Sequence, residues 1–308
     1  MNRPAALVLA AGLGTRLRPL TYVRAKAAVP VNGEPLARRV GKWLGANGFD
    51  DLVFNLHHHP ESVAACLGDG TDLGVRVRYS WERQVLGSGG GPRHALPLLI
   101  DGGAERFLIV NGDTLTNVDV DALLAAHARS GALVTMALIP NPAPDKYGGV
   151  LVDANDFVTG FSLRGAVRAS FHFIGVQVVE AGVFLALEDG VPAGSVNELY
   201  PRLIAADAVA VGAFISNASF HDIGTPRDCL DTTLELARHE GPRLVGSGCR
   251  VDPTAIVERS ALWDDVTIGP AARIVECVVA DGVTIPGGAV FERSAIVSGA
   301  DGLLIQPL

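Results

Sequence analysis

Apolar positions in the first half of the chain fall into short dense runs, separated by stretches with helical spacing. Ala5–Ala10, Asp51–Leu56, Val75–Ser80, Arg106–Val110 and Leu133–Ile139 read as strands. Pro35–Asn47, Pro60–Leu67, Gly91–Leu99 and Val118–Ser130 read as helices. Runs such as Leu7-Val8-Leu9 and Phe107-Leu108-Ile109-Val110 have no polar face, so they suit a sheet covered on both sides. The alternation predicts an α/β fold, a Rossmann-like mixed and mostly parallel sheet with helices on both faces. Ligands bind such sheets at the carboxyl ends of the strands, so the residues just after each strand are where chemistry is expected.

From Tyr147 to Phe220 the pattern becomes strand-rich, with Gly149–Asp153, Val158–Leu163 and His172–Val179 as added strands and a helix near Val196–Ala206. Thr225–Glu240 reads as one helix, with Thr225 as its N-cap and Pro226 at the first position, where no N–H is needed. After Gly241-Pro242 the period changes. Ile256, Leu262, Ile268 and Ile274 recur every six residues and Ala280 takes the next slot, with Gly, Pro and Asp at the corners. That period predicts a short left-handed parallel β-helix, hairpin strands being the blander alternative. The repeat weakens after Pro286, so two or three coils are expected. The predicted division is a catalytic domain over 1–240 and a hexapeptide-repeat β-helix over 241–308.

Composition narrows the function. With 48% hydrophobic and 19% charged residues the chain can bury a core. Its net charge of -8 argues against a nucleic-acid partner held by phosphate neutralisation. No apolar run approaches the ~18 residues of a membrane span, and Ala5–Ala11 imitates a signal peptide only briefly before Gly12-Leu13-Gly14-Thr15-Arg16. Cys66, Cys229, Cys249 and Cys277 show no CxxC spacing, which favours reduced, packed thiols in a cytoplasmic protein.

The first chemical motif, Leu9-Ala10-Ala11-Gly12-Leu13-Gly14-Thr15-Arg16-Leu17-Arg18-Pro19-Leu20, follows a strand directly. Its glycines let backbone N–H groups approach a phosphate. Leu17 stands where a dinucleotide fingerprint has its third glycine, and no Lys-Ser/Thr completes a P-loop. Asn111-Gly112-Asp113 and Phe220-His221-Asp222-Ile223-Gly224-Thr225-Pro226 each place a carboxylate at a strand end. Two such carboxylates, with substrate phosphates, form the oxygen set that Mg²⁺ prefers. His57-His58-His59 cannot all face one ion from a regular element and reads as a solvated loop, while Trp43, Trp81 and Trp263 read as core.

The Leu9–Leu20 run resembles the signature of the nucleotide-sugar pyrophosphorylases, which join a sugar 1-phosphate to a nucleotide. Arg24-Ala25-Lys26-Ala27-Ala28 resembles that family's Pro-Lys-Pro segment with both prolines replaced, and Leu86-Gly87-Ser88-Gly89-Gly90-Gly91 resembles its glycine-rich base-and-ribose loop. Asn111-Gly112-Asp113 and the segment around Asp222 resemble its two metal-binding aspartate motifs. Phe161-Ser162-Leu163-Arg164-Gly165 occupies the place of a Glu-Lys-Pro segment, with a cation kept and the glutamate lost.

The resemblance implies a reaction of nucleoside triphosphate with sugar 1-phosphate, with Mg²⁺ as cofactor on Asp113 and Asp222. Arg16 and Lys26 would be catalytic. Leu9, Ala11, Gly12, Gly14, Thr15, Glu82, Gly87, Ser88, Gly89, Gly90, Asn111 and Gly112 would surround the nucleotide. Arg164, Gly149 and His172 would meet the sugar phosphate, His172 being equally readable as a satisfied strand histidine. The similarity to bacterial guanylyltransferases with such a tail puts GTP and mannose 1-phosphate first. A uridylyltransferase on a hexose or amino-sugar phosphate comes second, and a non-catalytic nucleotide-sugar-binding subunit third. An acyltransferase is disfavoured, because no histidine follows His239. Homo-oligomer formation is expected through the β-helix, whose ends and sides are open.

Overall fold

The aliphatic runs of the first 140 or so positions become strands in the computed structural model, which describes residues 3–101, 103–166 and 169–308. The chain forms two compact units. One comprises Met1–Gly12, Val40–His58 and Leu67–Phe220, the other Leu13–Arg39, His59–Cys66 and His221–Leu308.

The first unit carries a nine-stranded sheet: β1 Ala6–Leu9, β2 Asp51–Leu56, β3 Arg76–Trp81, β4 Arg106–Asn111, β5 Val134–Pro140, β6 Gly149–Val152, β7 Val158–Ser162, β8 Phe171–Glu180 and β9 Val211–Ile215. The order is β7-β6-β8-β4-β1-β2-β3, with β5 joining β8 to β9. Strands β4, β1, β2 and β3 run parallel, whereas β8 is antiparallel to β4 and β5. Both faces are covered, as the unbroken apolar runs require. Leu7, Phe107 and Ile109 share one cluster with Leu96 and Leu99 of α3 (Gly87–Leu99, after α1 Leu36–Ala46 and α2 Pro60–Leu67), while their neighbours Val8, Leu108 and Val110 are equally buried.

Register places Leu9 opposite both Asn55 and Asn111, and Asn55 opposite Ser80. The carboxyl ends of four adjacent parallel strands therefore lie level. The glycine run expected as a loop instead forms the opening turns of α3. Packing explains this: a Cβ on Gly90 would lie 2.5 Å from the Val191 carbonyl, and Gly89 N–H donates to Ala193 O at 2.8 Å. The helix expected over Val196–Ala206 opens as a π turn, Ser195–Leu199, before becoming α-helical over Tyr200–Ala206.

In the second unit the helix Pro226–Glu240 starts as the sequence requires. Thr225 accepts from the Asp228 backbone N–H and Asp228 accepts from the Thr225 N–H, a capping box. Its last residue, Glu240, receives both Arg39 guanidinium arms at 2.8 Å.

Beyond it, three short parallel sheets stack as a β-helix with 17 residues per coil: Arg250 under Thr267 under Thr284, Ile256 under Arg273 under Val290, and Ala261 under Val278 under Ala295. One corner is a residue shorter than a six-residue repeat needs. The period therefore slips: Val257 and Phe291 pack on the core line of Leu262, Ile268, Ile274, Val279, Ile285 and Ile296, while Ile256 turns outward, 45% exposed. The coil continues past Pro286 and ends in an antiparallel hairpin, Ser294–Gly299 with Gly302–Pro307. No helix among the described residues is long and apolar enough to cross a membrane.

Candidate active site

The predicted site residues fall into two groups, one in each unit. In the first unit the nucleotide-loop residues Leu9, Ala11 and Gly12 leave β1 beside Asn111, Gly112 and Asp113, which leave β4. Gly112 N–H donates to the Leu9 carbonyl at 3.0 Å, and a Cβ there would sit 2.8 Å from that oxygen, so only glycine permits this crossing. Asn111 is flanked by Gly175 (φ +78°), whose missing Cβ would lie 2.7 Å from the Asn111 amide nitrogen. Asp113 is half-buried at the strand end, within 3.5 Å of the Thr114 hydroxyl.

Glu82 is buried, and its carboxylate is engaged inside the protein. Oε1 accepts from the Asn55 side-chain amide at 2.7 Å, and Oε2 accepts from Leu86 N–H at 2.9 Å. Asn55 in turn accepts from Ala10 N–H at 2.7 Å. One polar chain thus ties the end of β1 through β2 to the entry of α3 and its Gly87, Ser88, Gly89 and Gly90. Gly91 makes room for it, since a Cβ would meet both side chains within 2.9 Å.

Asn55 was missed in the sequence because Asn after an apolar run reads as a turn residue. Its position inside Phe54-Asn55-Leu56 was the available signal, since a polar side chain within a buried strand needs partners. Ser88 accepts from the N–H and hydroxyl of Ser195 at 3.0 and 2.8 Å.

The triple histidine is the loop between β2 and the helix Pro60–Leu67, as expected, and it is partly rather than fully solvated. All three rings are half-buried, with His57 on the Glu82 carbonyl at 3.0 Å and His59 on Glu61 at 3.1 Å. Trp81, expected in the core, is 55% exposed because it ends the edge strand β3.

The residues assigned to the sugar phosphate lie apart in character. Arg164 is exposed. Gly149 is pressed against the hydroxyls of Ser162 and Ser170, leaving no room for a side chain. His172 lies between Tyr147 and Phe220, with ring centroids 4.3 and 4.6 Å away. Burial, partly offset by a backbone hydrogen bond at Gly148, lowers its pKa to about 4, so the ring is neutral at pH 7. Its Nε2 and the Ser162 hydroxyl are buried with no hydrogen-bond partner among the described residues.

In the second unit Gly14 adopts a left-handed conformation (φ +59°), and its carbonyl accepts from the Thr21 hydroxyl at 3.0 Å. A Cβ on Gly14 would lie 2.7 Å from Thr21 and 3.2 Å from Cβ of Lys26, so the glycine turn and the lysine segment pack together. Thr15 and Arg16 form the short turn that follows. Arg16 and Asp222 flank Gly224, each 3.1 Å from the point its Cβ would occupy.

The two residues before Lys26 are anchored. Ala25 N–H donates to Ser62 at 2.9 Å. Arg24 gives Asp281 two bonds at 2.5 and 2.7 Å, reaches Asp264 at 2.6 Å and lies 5.6 Å from the Trp263 ring. The coil of the β-helix is therefore what anchors this loop.

Asp113 belongs to the first unit and Asp222 to the second. Among the described residues no cluster of three or more His, Cys, Asp or Glu side chains could hold a metal.

The nucleotidyl transferase family profile matches residues 5–239, and the chain belongs to that family. It is similar to mannose-1-phosphate guanylyltransferase of Mycobacterium tuberculosis, at 30% identity over 94% of this chain and 83% of that protein. It is similar also to N-acetylmuramate alpha-1-phosphate uridylyltransferase of Neisseria meningitidis, at 36% identity over 64% of this chain and 83% of that protein. The crystal structure of HddC from Yersinia pseudotuberculosis shares the fold, with a TM-score of 0.66 at 20% identity over 76% of this chain and 99% of that one.

Proposed function

We propose that this nucleotidyltransferase joins GTP and mannose 1-phosphate, or a closely related manno-sugar phosphate, releasing pyrophosphate and a nucleotide-diphospho-sugar in the cytoplasm. The observation that carries the reading is the similarity to the mycobacterial guanylyltransferase, which extends through the β-helix as well as the catalytic region. The catalytic portion is assigned to 1–240 and the β-helix to 241–308.

The reaction is an in-line displacement at the α-phosphorus, where catalysis is mainly positioning and charge neutralisation. Backbone N–H groups of Ala11 and Gly12, at the end of β1, face the nucleotide beside Gly112, with the Gly87–Gly90 turn against base and ribose. Arg16 takes the charge that develops on the departing pyrophosphate. Lys26, braced by Arg24, holds the attacking sugar phosphate against the α-phosphate. Arg164 grips the sugar phosphate, with Gly149 and His172 assigned to the same substrate. Asp113 and Asp222 would hold Mg²⁺, which takes oxygen ligands and would neutralise phosphate charge.

A second reading, uridylyl transfer to a hexose or amino-sugar 1-phosphate, is favoured by the higher identity to the Neisseria enzyme, 36% over 64% of this chain. Pyrophosphate release, screened over four triphosphates and a panel of sugar 1-phosphates, tests both. Highest turnover with GTP and mannose 1-phosphate supports the first, and preference for UTP with a hexose or amino-sugar phosphate replaces it with the second. No release with any pair points to a nucleotide-sugar-binding regulatory subunit.

A further inference from the structure

We infer that His94 is a positioning residue for the nucleotide. As an imidazolium it clamps the end of β3 and the Leu187–Ser195 segment to α3, and on losing a proton it releases one of them. This rests on the reading above that the Gly87–Gly90 turn faces base and ribose.

The observation is a histidine with an oxygen acceptor at each ring nitrogen. Nδ1 of His94 lies 2.8 Å from Oδ1 of Asp189, and Nε2 lies 3.1 Å from the Trp81 carbonyl. A neutral imidazole has one N–H, so it satisfies one of these oxygens and turns a lone pair toward the other. Neither partner supplies the missing proton. A carbonyl has none, and the hydrogen bond from His94 holds the Asp189 carboxyl below the usual carboxylate range, so it is ionised at pH 7. The two contacts therefore form together only when the ring carries both protons. His127 shows the contrast. Its Nδ1 faces the Thr135 hydroxyl, which can donate, so a neutral ring serves both Thr135 and Glu180.

Both arms of the clamp lead to the residues that open α3. The segment holding Asp189 runs along that opening. Arg93 Nε donates to the Leu187 carbonyl at 2.8 Å, Gln84 to that of Gly190 at 3.2 Å, Ala193 N–H to that of Leu86 at 2.9 Å, and Ser195 N–H to the Ser88 hydroxyl at 3.0 Å. Trp81 directly precedes Glu82, whose carboxylate holds Leu86 N–H. The charged groups around the ring are Asp189 on the loop, Arg93 on its own helix, and Arg83 beyond the end of β3, on the wall of the same cavity. His94 and Asp189 side chains are 34% and 50% exposed, so protons reach them from solvent. The clamp is complete below the histidine range and opens as the pH rises through it.

The test measures triphosphate dissociation constants for the full chain from about pH 6 to about pH 8.5, across the histidine range. It uses the triphosphate that the parent binds most tightly. The triphosphate itself titrates alike for every chain, so the readout is the difference between chains. Parent affinity should fall with pH by about fivefold more than that of His94→Gln, the size of one ion-pair contact at a half-exposed site. Asp189→Asn tells a clamp from a merely structural contact. Its amide can donate to a bare Nδ1, leaving the single N–H of a neutral ring for the Trp81 carbonyl. This variant should match the parent at the acid end and bind about fivefold tighter than the parent at the alkaline end. Equal slopes in the parent and His94→Gln, or an Asp189→Asn chain that weakens with pH as the parent does, would overturn the clamp alone. A parent that binds no triphosphate at any pH would overturn the nucleotide reading and the clamp with it.

Discussion

Asn55 donates its side-chain amide to Glu82 at 2.7 Å while accepting from the N–H of Ala10 at the same distance, and both side chains are buried. Three segments distant in sequence are fixed by this one amide: the strand entering the glycine motif, the strand beside it, and the turn opening α3.

Replacing Asn55 by leucine would strand a buried N–H and leave one carboxylate oxygen of Glu82 without its donor. Unsatisfied buried groups cost roughly 1–3 kcal/mol each, more when charged, so Asn55→Leu should destabilise by about 2–4 kcal/mol. Urea unfolding measures this directly. A loss under about 0.5 kcal/mol, the range of neutral surface changes, would mean the chain of bonds does not hold these segments.

Asp113→Asn should leave the fold intact, since the carboxylate is only half-buried. Turnover should fall ~10²-fold or more, because electrostatic stabilisation aimed at the transition state is lost. Circular dichroism and pyrophosphate release at saturating Mg²⁺ check both halves. Near-normal turnover would remove Asp113 from the metal assignment.

Arg16 and Lys26 are assigned to different phosphates and should separate kinetically. Arg16→Ala is expected to weaken triphosphate binding as well as turnover. Lys26→Ala should lower turnover more than triphosphate affinity and raise the KM for sugar phosphate. Arg24→Gln, which loosens the anchor to Asp264 and Asp281, should shift the same constants as Lys26→Ala by a smaller factor. If Lys26→Ala loses triphosphate affinity as badly as Arg16→Ala while its sugar-phosphate KM holds, the division fails.

His172 makes a pH prediction. Burial lowers its folded pKa to about 4, against about 6.5 in an unfolded chain. The unfolded state therefore binds the proton first. Stability is unaffected above about pH 6.5 and declines as the pH drops toward 4, by at most ~1.4 kcal/mol per pH unit because a single ring takes up no more than one proton. His127, likewise lowered by burial against the opposing pull of Glu180, slopes the same way. Chemical unfolding between pH 6.5 and 4.5 should show a shallower decline in His172→Phe than in the parent, and equal slopes would refute the assignment.

The sequence by itself determined the local elements and the order of the motifs. Strand β2, the helix Pro60–Leu67 and the capped start of Pro226–Glu240 fall where periodicity and capping residues put them, because hydrophobic spacing and backbone satisfaction act within a few residues. The glycine turn after β1 and the strand-end aspartates were legible for the same reason: their spacing is itself the motif.

Tertiary structure decided what depends on residues far apart. The Gly87 run became a helix because the segment near Ala193 packs against it, and Glu82 became a clamp because register sets Asn55 beside it. The coil settled at 17 residues because stacking tolerates one short corner, which no single six-residue window reveals. Arg24 reads as one more cation in a basic loop, and only folding brings Asp264 and Asp281 to it from more than 200 positions away. Long-range pairing is governed by which surfaces meet, and local spacing carries no record of that.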